Sequence, residues 1–262
     1  MSIAAGSLTA LVLAGTRGGG DPLADYAGVS HKALIPVQGR SMLERVVTAL
    51  SEVPQVGRIL VAIERPDIVA SLPELRVPVS AVRAAAGPSA SVAAILAAEG
   101  VPLLVTTADH ALLQSSWVQE FLQADRGDAD ALVALARSEA VLAAAPNTQR
   151  TWLRFADGNY SGCNLFLLRT PATSQIVRLW EEVEAARKRP LTLLRRLGFT
   201  YALRYRLGWL SLDQALVRLG QLAQTTIRPV MLRDGRAAID VDKPADLDLV
   251  RQMTEGVRLP LL

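Results

Sequence analysis

The stretch LTALVLAGTRGGGDP, from Leu8 to Pro22, decides how the rest of the chain is interpreted. Its first half, residues 8–13, is short, aliphatic and bounded by small residues, which is typical of a strand buried on both faces. A glycine-rich turn follows directly, and such a turn lets backbone N–H groups approach a phosphate closely. Ligands of open α/β sheets bind at this carboxyl edge of the strands. The stretch therefore predicts a phosphate-binding loop, although three consecutive glycines also suit a mobile linker.

Composition narrows the class of protein. Half of the 262 residues are hydrophobic, and the formal net charge of +3 suits a small anionic substrate but is too weak to indicate nucleic acid. The single cysteine, Cys163, excludes an internal disulfide and fits a reducing compartment, so we expect a cytoplasmic protein. Two histidines and one cysteine argue against a zinc cage. No basic residue precedes the apolar N-terminus, which favours a strand over a signal peptide.

Strands and helices alternate along the first half of the chain. Ser41 and Glu44 form a capping box ahead of a helix, and serines begin another helix near Ser91. This alternation predicts an α/β fold, with a mostly parallel, Rossmann-like sheet sandwiched by helices. The predicted strands are 8–13, 57–63, 77–82, 101–109 and 129–135, and the predicted helices are 42–51, 91–98 and 115–123, with a short helix or loop at 66–72.

The pattern changes after residue 150, but no linker or repeat interrupts the chain. We expect a single domain, residues 1–262, with a helical insertion at about 187–222 that is broken near Gly198 and Gly208 and contains a second capping box, Ser211 with Gln214. The other predicted elements are strands at 152–155, 163–168 and 226–232, a helix at 173–188, a short strand ending at Ile239, and a last helix with Pro244 near its start.

Four segments spread over almost the whole chain resemble the nucleotidyltransferase superfamily with the GT-A-like fold. They are LVLAGTRGGG with the later HKALIPVQGRSMLERV, then GPSASVAAIL, LLVTTADHALL and AAIDVDKPADLDLV. This superfamily includes MobA-like NTP transferases, cytidylyltransferases and sugar-phosphate nucleotidyltransferases. The resemblance implies a GT-A-type sheet and Mg²⁺-dependent transfer of a nucleoside monophosphate from an NTP to a small phosphorylated sugar, polyol or alcohol, with release of pyrophosphate.

The resemblance also implies roles for particular residues. Lys32 takes the place of the superfamily's lysine and is expected, with Arg17, to neutralise charge on the phosphates during transfer. Asp109 and Asp242 are expected to bind Mg²⁺ through their oxygens, with Asp240 as a competing candidate. In the alternative, purely structural interpretation, Asp109 caps a turn or helix and Asp242 caps a helix. The predicted NTP-binding residues of the loop are Leu13, Ala14, Gly15, Thr16, Gly18 and Gly19.

The base and the acceptor are less well defined. GPSASV resembles a cytidylyltransferase segment, so Gly87 and Ser91 are expected to contact the base and ribose, but the arginine and aspartate usual there are absent and CTP is only slightly favoured. SGCNLFLL resembles the strand that presents Gly162 and Asn164 to the acceptor, and Cys163 between them suits a buried position better than a nucleophilic role.

Two features depart from the superfamily pattern. The spacing from Gly15 to Lys32 is longer than usual, and Arg17 stands earlier in the loop. His110 follows the predicted metal ligand, where the superfamily often has a small or apolar residue. A local hydrogen bond is the favoured role for His110, ahead of contact with a ligand.

The insertion is rich in arginine and leucine, and three interpretations stay open. It could form a membrane-surface helix that meets a lipid-linked acceptor, a basic lid over an anionic substrate, or an amphipathic helix pair with solvated arginines. Its basic residues are Arg187, Lys188, Arg189, Arg195, Arg196, Arg204 and Arg206.

Other functions compete with transfer to a small phosphorylated acceptor. Guanylyl or cytidylyl transfer to a molybdopterin-type cofactor is one, and a non-catalytic nucleotide-binding regulator on the same fold is another. A glycosyltransferase on the related fold would carry Asp-x-Asp, whereas this chain has Asp109-His110-Ala111. The sequence leaves the acceptor, the base and the oligomeric state open.

Overall fold

In the computed structural model, the described residues are 3–16, 20–125, 127–185 and 198–255. The expectations for Arg17, Gly18, Gly19 and the basic residues from 187 to 196 therefore lie outside the described part of the chain.

The centre of the fold is an eight-stranded mixed sheet with the order β10-β7-β9-β6-β1-β4-β5, and β8 pairs with the free part of β9. Strand β9 runs antiparallel to both of its long neighbours, and the other long strands run parallel to one another. A mostly parallel sheet is therefore confirmed. The strands are β1 Leu8–Leu13, β2 Pro36–Val37, β3 Arg40–Ser41, β4 Val56–Ile63, β5 Val79–Arg83, β6 Leu103–Thr107, β7 Ala131–Arg137, β8 Leu153–Phe155, β9 Gly158–Leu168 and β10 Ile227–Met231.

Helices cover both faces of the sheet because the strands bury both of their faces. Along β1, Leu8, Ala10 and Val12 pack in one hydrophobic cluster and Leu11 packs in the cluster on the other face. The helices are α1 Pro22–Tyr26, α2 Met42–Ser51, α3 Pro66–Ala70, α4 Pro88–Glu99, α5 Ser115–Gln123, α6 Ser138–Ala144, α7 Thr173–Ala185, α8 Phe199–Arg206, α9 Leu212–Ala223 and α10 Pro244–Glu255, with 3₁₀ turns at Lys32–Leu34 and Gly235–Ala238.

Two of the predicted serine caps are confirmed, at Ser41 and Ser211. The predicted serine caps of α4 and α5 are wrong, because these helices begin after Gly87 and Gln114 with no side-chain cap hydrogen bond. The Ser41 hydroxyl accepts from the N–H of Glu44 at 3.1 Å and begins α2. At α9 the capping box is complete, because Ser211 accepts from the N–H of Gln214 and the Gln214 side chain accepts from the N–H of Ser211. No helix in the described ranges is both long and apolar enough to cross a bilayer.

The expected short strand ending at Ile239 is wrong, because residues 235–238 form a 3₁₀ turn. The Asp234 carboxylate caps this turn by accepting from the N–H of Arg236 at 3.0 Å. Gly235 lies so close to α6 that a Cβ at this position would be 2.1 Å from the carbonyl oxygen of Ala140. Close packing against α6 thus favours a compact turn at these residues, where a short strand was expected.

Candidate active site

A cleft of about 700 Å³ opens at the carboxyl ends of β1, β4, β5 and β6. Two backbone hydrogen bonds bring the strand ends together: the N–H of Ala14 donates to Ala62, and the N–H of Ala108 donates to Leu13, both at 2.9 Å. Nine of the predicted site residues line this cleft, namely Leu13, Ala14, Gly15, Thr16, Lys32, Gly87, Ser91, Asp109 and Asp242.

Three charged side chains meet at the wall of the cleft. The Nζ atom of Lys32 lies 2.8 Å from Oδ2 of Asp109 and 3.1 Å from Oδ1 of Asp242. Lys32 begins a 3₁₀ turn whose cap is His31, since Nδ1 of His31 accepts from the N–H of Ala33 at 3.0 Å. Asp109 lies 77 positions and Asp242 lies 210 positions after Lys32 in the sequence, yet both carboxylates contact its ammonium group.

Backbone contacts explain why the two carboxylates converge. The N–H of Val241 donates to the carbonyl of Asp109 at 3.0 Å, which joins the C-terminal segment to the end of β6. The Asp246 carboxylate accepts from the N–H groups of Asp242 and Lys243 at 3.2 and 3.1 Å. Asp246 therefore caps the start of α10, and the Asp242 side chain is left to face Lys32.

The electrostatics of this cluster combine burial with ion pairing. Burial is the largest influence on Lys32 and acts to lower its pKa, but the attraction of Asp109 and Asp242 outweighs it and the pKa of Lys32 is raised. The pKa of Asp109 is also raised, chiefly by burial, against the opposing attraction of Lys32. Lys32 is consequently held as a cation at neutral pH.

The donor set fits a hard divalent cation. The Oδ1 atom of Asp109 is buried and has no hydrogen-bond partner among the described residues, so this oxygen is unsatisfied in the protein alone. No group of three or more potential metal-binding side chains occurs in the described ranges. Mg²⁺ commonly uses only one or two carboxylates and completes its coordination with substrate phosphates and water, so the pair Asp109 and Asp242 is sufficient.

Comparison with known proteins identifies the family. Residues 10–219 match the model of the MobA-like NTP transferase domain. The chain belongs to this family. A hypothetical transferase from Thermus thermophilus is 31% identical, with a TM-score of 0.77 over 91% of this chain and 98% of that chain. No curated protein matches the chain in sequence.

More distant structures share the fold alone. The 4-diphosphocytidyl-2C-methyl-D-erythritol synthase of Anaerococcus prevotii is 12% identical, with a TM-score of 0.56 over 94% of this chain and 96% of that chain. A CMP:2-keto-3-deoxy-manno-octonic acid synthetase complexed with CTP is 15% identical, with a TM-score of 0.59 over 95% of this chain and 99% of that chain. This MobA-like chain therefore has the nucleotidyltransferase fold that its sequence segments indicated.

The competing carboxylate, Asp240, has different partners. Its oxygens accept from Nη1 of Arg150 and, at 2.7 Å, from Nδ2 of Asn164. Asn164 has a left-handed backbone conformation, with φ of 45°. Gly162 lies two residues earlier on β9 and is exposed, with open space where a Cβ would stand. Neither Gly162 nor Asn164 lines the cleft. Both residues lie on β9, where Asn164 contacts Asp240.

The segment GPSASV shapes the cleft through internal contacts. The hydroxyl of Ser91 accepts from the N–H of Ala85 at 2.9 Å and donates to the carbonyl of Gly87 at 3.0 Å. A Cβ at Gly87 would be 2.8 Å from the Glu184 carboxylate, which also accepts from the hydroxyl of Ser89. The Ser91 hydroxyl is therefore engaged within the protein, and its nucleotide contact stays a prediction.

Glu64 lies at the site but was not among the predicted residues. This residue directly follows β4, and its carboxylate accepts from the hydroxyl and, at 3.0 Å, from the backbone N–H of Thr16. Nε2 of His31 lies 3.3 Å from the same carboxylate. Burial acts to raise the pKa of Glu64, but the hydrogen bonds from Thr16 outweigh it and the pKa is lowered. The signal was available, because a carboxylate at the end of a buried parallel strand faces the ligand edge.

His110 and Cys163 lie beneath the site and are both buried. The expected local hydrogen bond of His110 is not formed in good geometry; the backbone of Ala237 is the hydrogen-bonding group that acts on the ring, and the ring stacks on Trp117 with centroids 6.3 Å apart. Burial lowers the pKa of His110 to about 4 and raises the pKa of the Cys163 thiol to about 12. Both groups are therefore uncharged at neutral pH, and Cys163 is a poor nucleophile, as its sequence position indicated.

Proposed function

We propose that this MobA-like protein transfers a nucleoside monophosphate from an NTP to a small phosphorylated acceptor, with Mg²⁺ as cofactor and pyrophosphate as the second product. The observation that supports the proposal most directly is the position of Lys32 between Asp109 and Asp242 on the wall of a cleft that begins at the glycine-rich loop. Phosphoryl transfer between two anions needs mainly positioning and neutralisation of charge. The lysine of this cluster can neutralise charge, and its two carboxylates can hold a metal ion that positions the phosphates.

Each part of the cluster has a role in this chemistry. Asp109 and Asp242 would hold Mg²⁺, which when bound neutralises phosphate charge and orients the triphosphate. Lys32 is kept protonated by the same carboxylates and would stabilise charge on the α-phosphate as the acceptor oxygen attacks. The loop that begins at Gly15, which lines the same cleft, would position the phosphates. Arg17 is proposed to assist there.

For the base we propose CTP. The support is the resemblance of GPSASV to cytidylyltransferases and the shared fold with a synthetase whose structure contains CTP. For the acceptor we propose a sugar, polyol or alcohol phosphate placed beside Gly162 and Asn164. Asp240 orients the Asn164 amide by accepting from its Nδ2, and the amide oxygen would then accept from an acceptor hydroxyl.

The test is pyrophosphate release from each of the four NTPs with a panel of phosphorylated acceptors and a Mg²⁺ titration. Asp109→Asn and Asp242→Asn are expected to raise the Mg²⁺ concentration needed for half-maximal rate. Asp128→Asn, a change at a carboxylate on the loop before β7, is the matched control and should behave as the wild type.

Three results would contradict the proposal or a part of it. Nucleotide binding without pyrophosphate release from any pair would indicate the regulator. Release confined to a pterin acceptor would indicate the molybdopterin-type alternative. A wild-type Mg²⁺ requirement in both aspartate variants would remove the assigned metal site.

A further inference from the structure

An unusual surface surrounds α8. Five of the nine large hydrophobic side chains that are exposed in the described chain fall within eleven residues, and Phe199 and Trp209 are 74% and 66% exposed. Helix α8 contains no buried residue. We define the α8 surface as the exposed side chains Phe199, Leu203, Tyr205, Leu207 and Trp209 together with Arg204 and Arg206.

The charge of this surface has one sign. Between Gly198 and Leu210 the sequence contains two arginines and no acidic residue. Large aromatic and aliphatic side chains mixed with arginines are typical of surfaces that enter the interface of an anionic bilayer, where Trp and Tyr also concentrate. A face made for a folded protein partner would more often exclude charge from its centre.

The α8 surface is attached to a rigid part of the fold. The ring of Tyr205 packs edge-on against Phe155 of β8, with centroids 5.4 Å apart, and its hydroxyl accepts from the N–H of Arg154. The N–H of Ala156 donates to the carbonyl of Leu210 at 2.8 Å. These contacts hold the apolar side chains outward on a fixed platform rather than on a free helix.

This platform lies at the same edge of the sheet as the charged cluster. Strand β9 pairs with β6 only as far as Leu165 opposite Thr106, and its first half continues beyond the end of β6, where β8 pairs with it at Tyr160. Asn164 lies between the two halves and contacts Asp240. Tyr160 and Asn164 are four residue steps apart along the strand, which is roughly 13 Å.

We propose that the α8 surface docks the protein on an anionic membrane and that the acceptor is a phosphate monoester carried by a lipid. This inference rests on the proposed nucleotidyl transfer. An oxygen of the lipid phosphate would attack the α-phosphorus and form the new P–O bond, and the bond to the β-phosphate would break, with its electron pair leaving on pyrophosphate. No proton needs to move, since the attacking phosphate is largely dianionic at neutral pH.

Docking is tested by sedimentation of the full chain with neutral phosphatidylcholine vesicles and with vesicles that also contain phosphatidylglycerol, at low salt. The wild type is expected to bind the anionic vesicles. Phe199→Ser with Trp209→Ser should weaken binding at least about tenfold. Arg206→Glu should weaken it at least about fivefold. Leu142→Ser and Arg76→Glu, exposed residues away from the α8 surface, are the matched controls and should bind as the wild type.

Trp209 gives a second readout. Its fluorescence should shift to shorter wavelength on vesicle binding, and Trp209→Phe should abolish most of that shift. Absence of binding at low salt, or equal binding by the double variant, would overturn docking. Concentration-dependent self-association that the double variant abolishes, without vesicle binding, would instead assign the surface to a second copy of the chain.

The acceptor is tested by pyrophosphate release with vesicles that carry phosphatidate or a polyprenyl monophosphate, compared with soluble glycerol 3-phosphate. Faster release with a lipid phosphate, lost in the double variant, supports the inference. Release by the wild type that is at least as fast with the soluble acceptor as with either lipid phosphate overturns the lipid acceptor and leaves nucleotidyl transfer standing. Vesicle binding without release from any NTP leaves docking standing and contradicts the proposed function.

Discussion

The wall of the cleft and the α8 surface differ in where their apolar side chains lie. Around Lys32 the apolar residues are buried in the sheet, and charged groups that are distant in sequence are drawn together by backbone contacts. On the α8 surface large apolar groups face outward and none is buried. We therefore expect substitutions in the buried surroundings of the cleft to lower the free energy of unfolding, and substitutions on the α8 surface to leave it nearly unchanged. Changes at the charged cluster and in the buried fold should therefore have larger effects than changes on the α8 surface.

The largest effect is expected at Lys32. Lys32→Met should reduce kcat/KM for pyrophosphate release by about 10²–10³, because one electrostatic stabiliser of the transition state is lost. Arg76→Met, at an exposed residue before β5, is the control. A loss of less than about fivefold, well below the usual scale for such a group, would show that Lys32 only pairs the carboxylates.

The free energy of unfolding should depend on pH through the protonation of His110. The unfolded chain takes up a proton near the ordinary pKa of 6.5, whereas the folded protein does so only near 4. Stability from the neutral, buried ring is thus complete above pH 6.5 and is lost as pH falls towards 4, by about 3 kcal/mol in total. Denaturant unfolding at a series of pH values measures this loss.

His110→Phe removes the titration while keeping a ring against Trp117, so its free energy of unfolding should fall less over the same interval. If the variant does not fold, NMR titration of the wild-type ring gives the pKa directly. A value near 6.5 would contradict the assignment.

A smaller effect is expected at the turn that replaces the predicted strand. Gly235→Ala places a Cβ 2.1 Å from the carbonyl oxygen of Ala140, and the shift this requires should cost about 1–3 kcal/mol. Gly162→Ala meets no atom within 4 Å and serves as the control in the same unfolding measurement. Equal stability of the two variants would mean that α6 and the turn can separate freely.

The smallest effect is expected on the α8 surface. Leu203→Ser with Leu207→Ser should change the free energy of unfolding by less than about 0.5 kcal/mol per residue, since both side chains are already exposed. Leu210→Ser, at a buried neighbour, should cost about 2–5 kcal/mol. Similar losses in the two proteins would show that the α8 surface contributes to the core.

Much of the fold could be predicted from local pattern. Buried strands such as β1 and β4 are short aliphatic runs, and helix starts such as Ser41 and Ser211 have capping residues at fixed spacing. The turn at residues 235–238 was not predicted, because besides its local cap at Asp234 its shape depends on contact with α6, which is distant in sequence. The position of Glu64 at the end of β4 could have been used, but its hydrogen bond from Thr16 could not be predicted, since 48 residues separate the two partners.

The amino-acid sequence by itself determined the alternation of strands and helices, the glycine-rich loop and the residue types suited to phosphate and Mg²⁺, because these depend on periodicity, backbone freedom and side-chain chemistry. Only the tertiary structure decided that Asp246 caps α10 while Asp242 faces Lys32, that Asp240 pairs with Arg150 and Asn164, and that the α8 surface is left exposed at the edge where the charged cluster lies. The physical reason is distance along the chain: local preference acts over a few residues, whereas these partners meet only when the sheet aligns its strand ends.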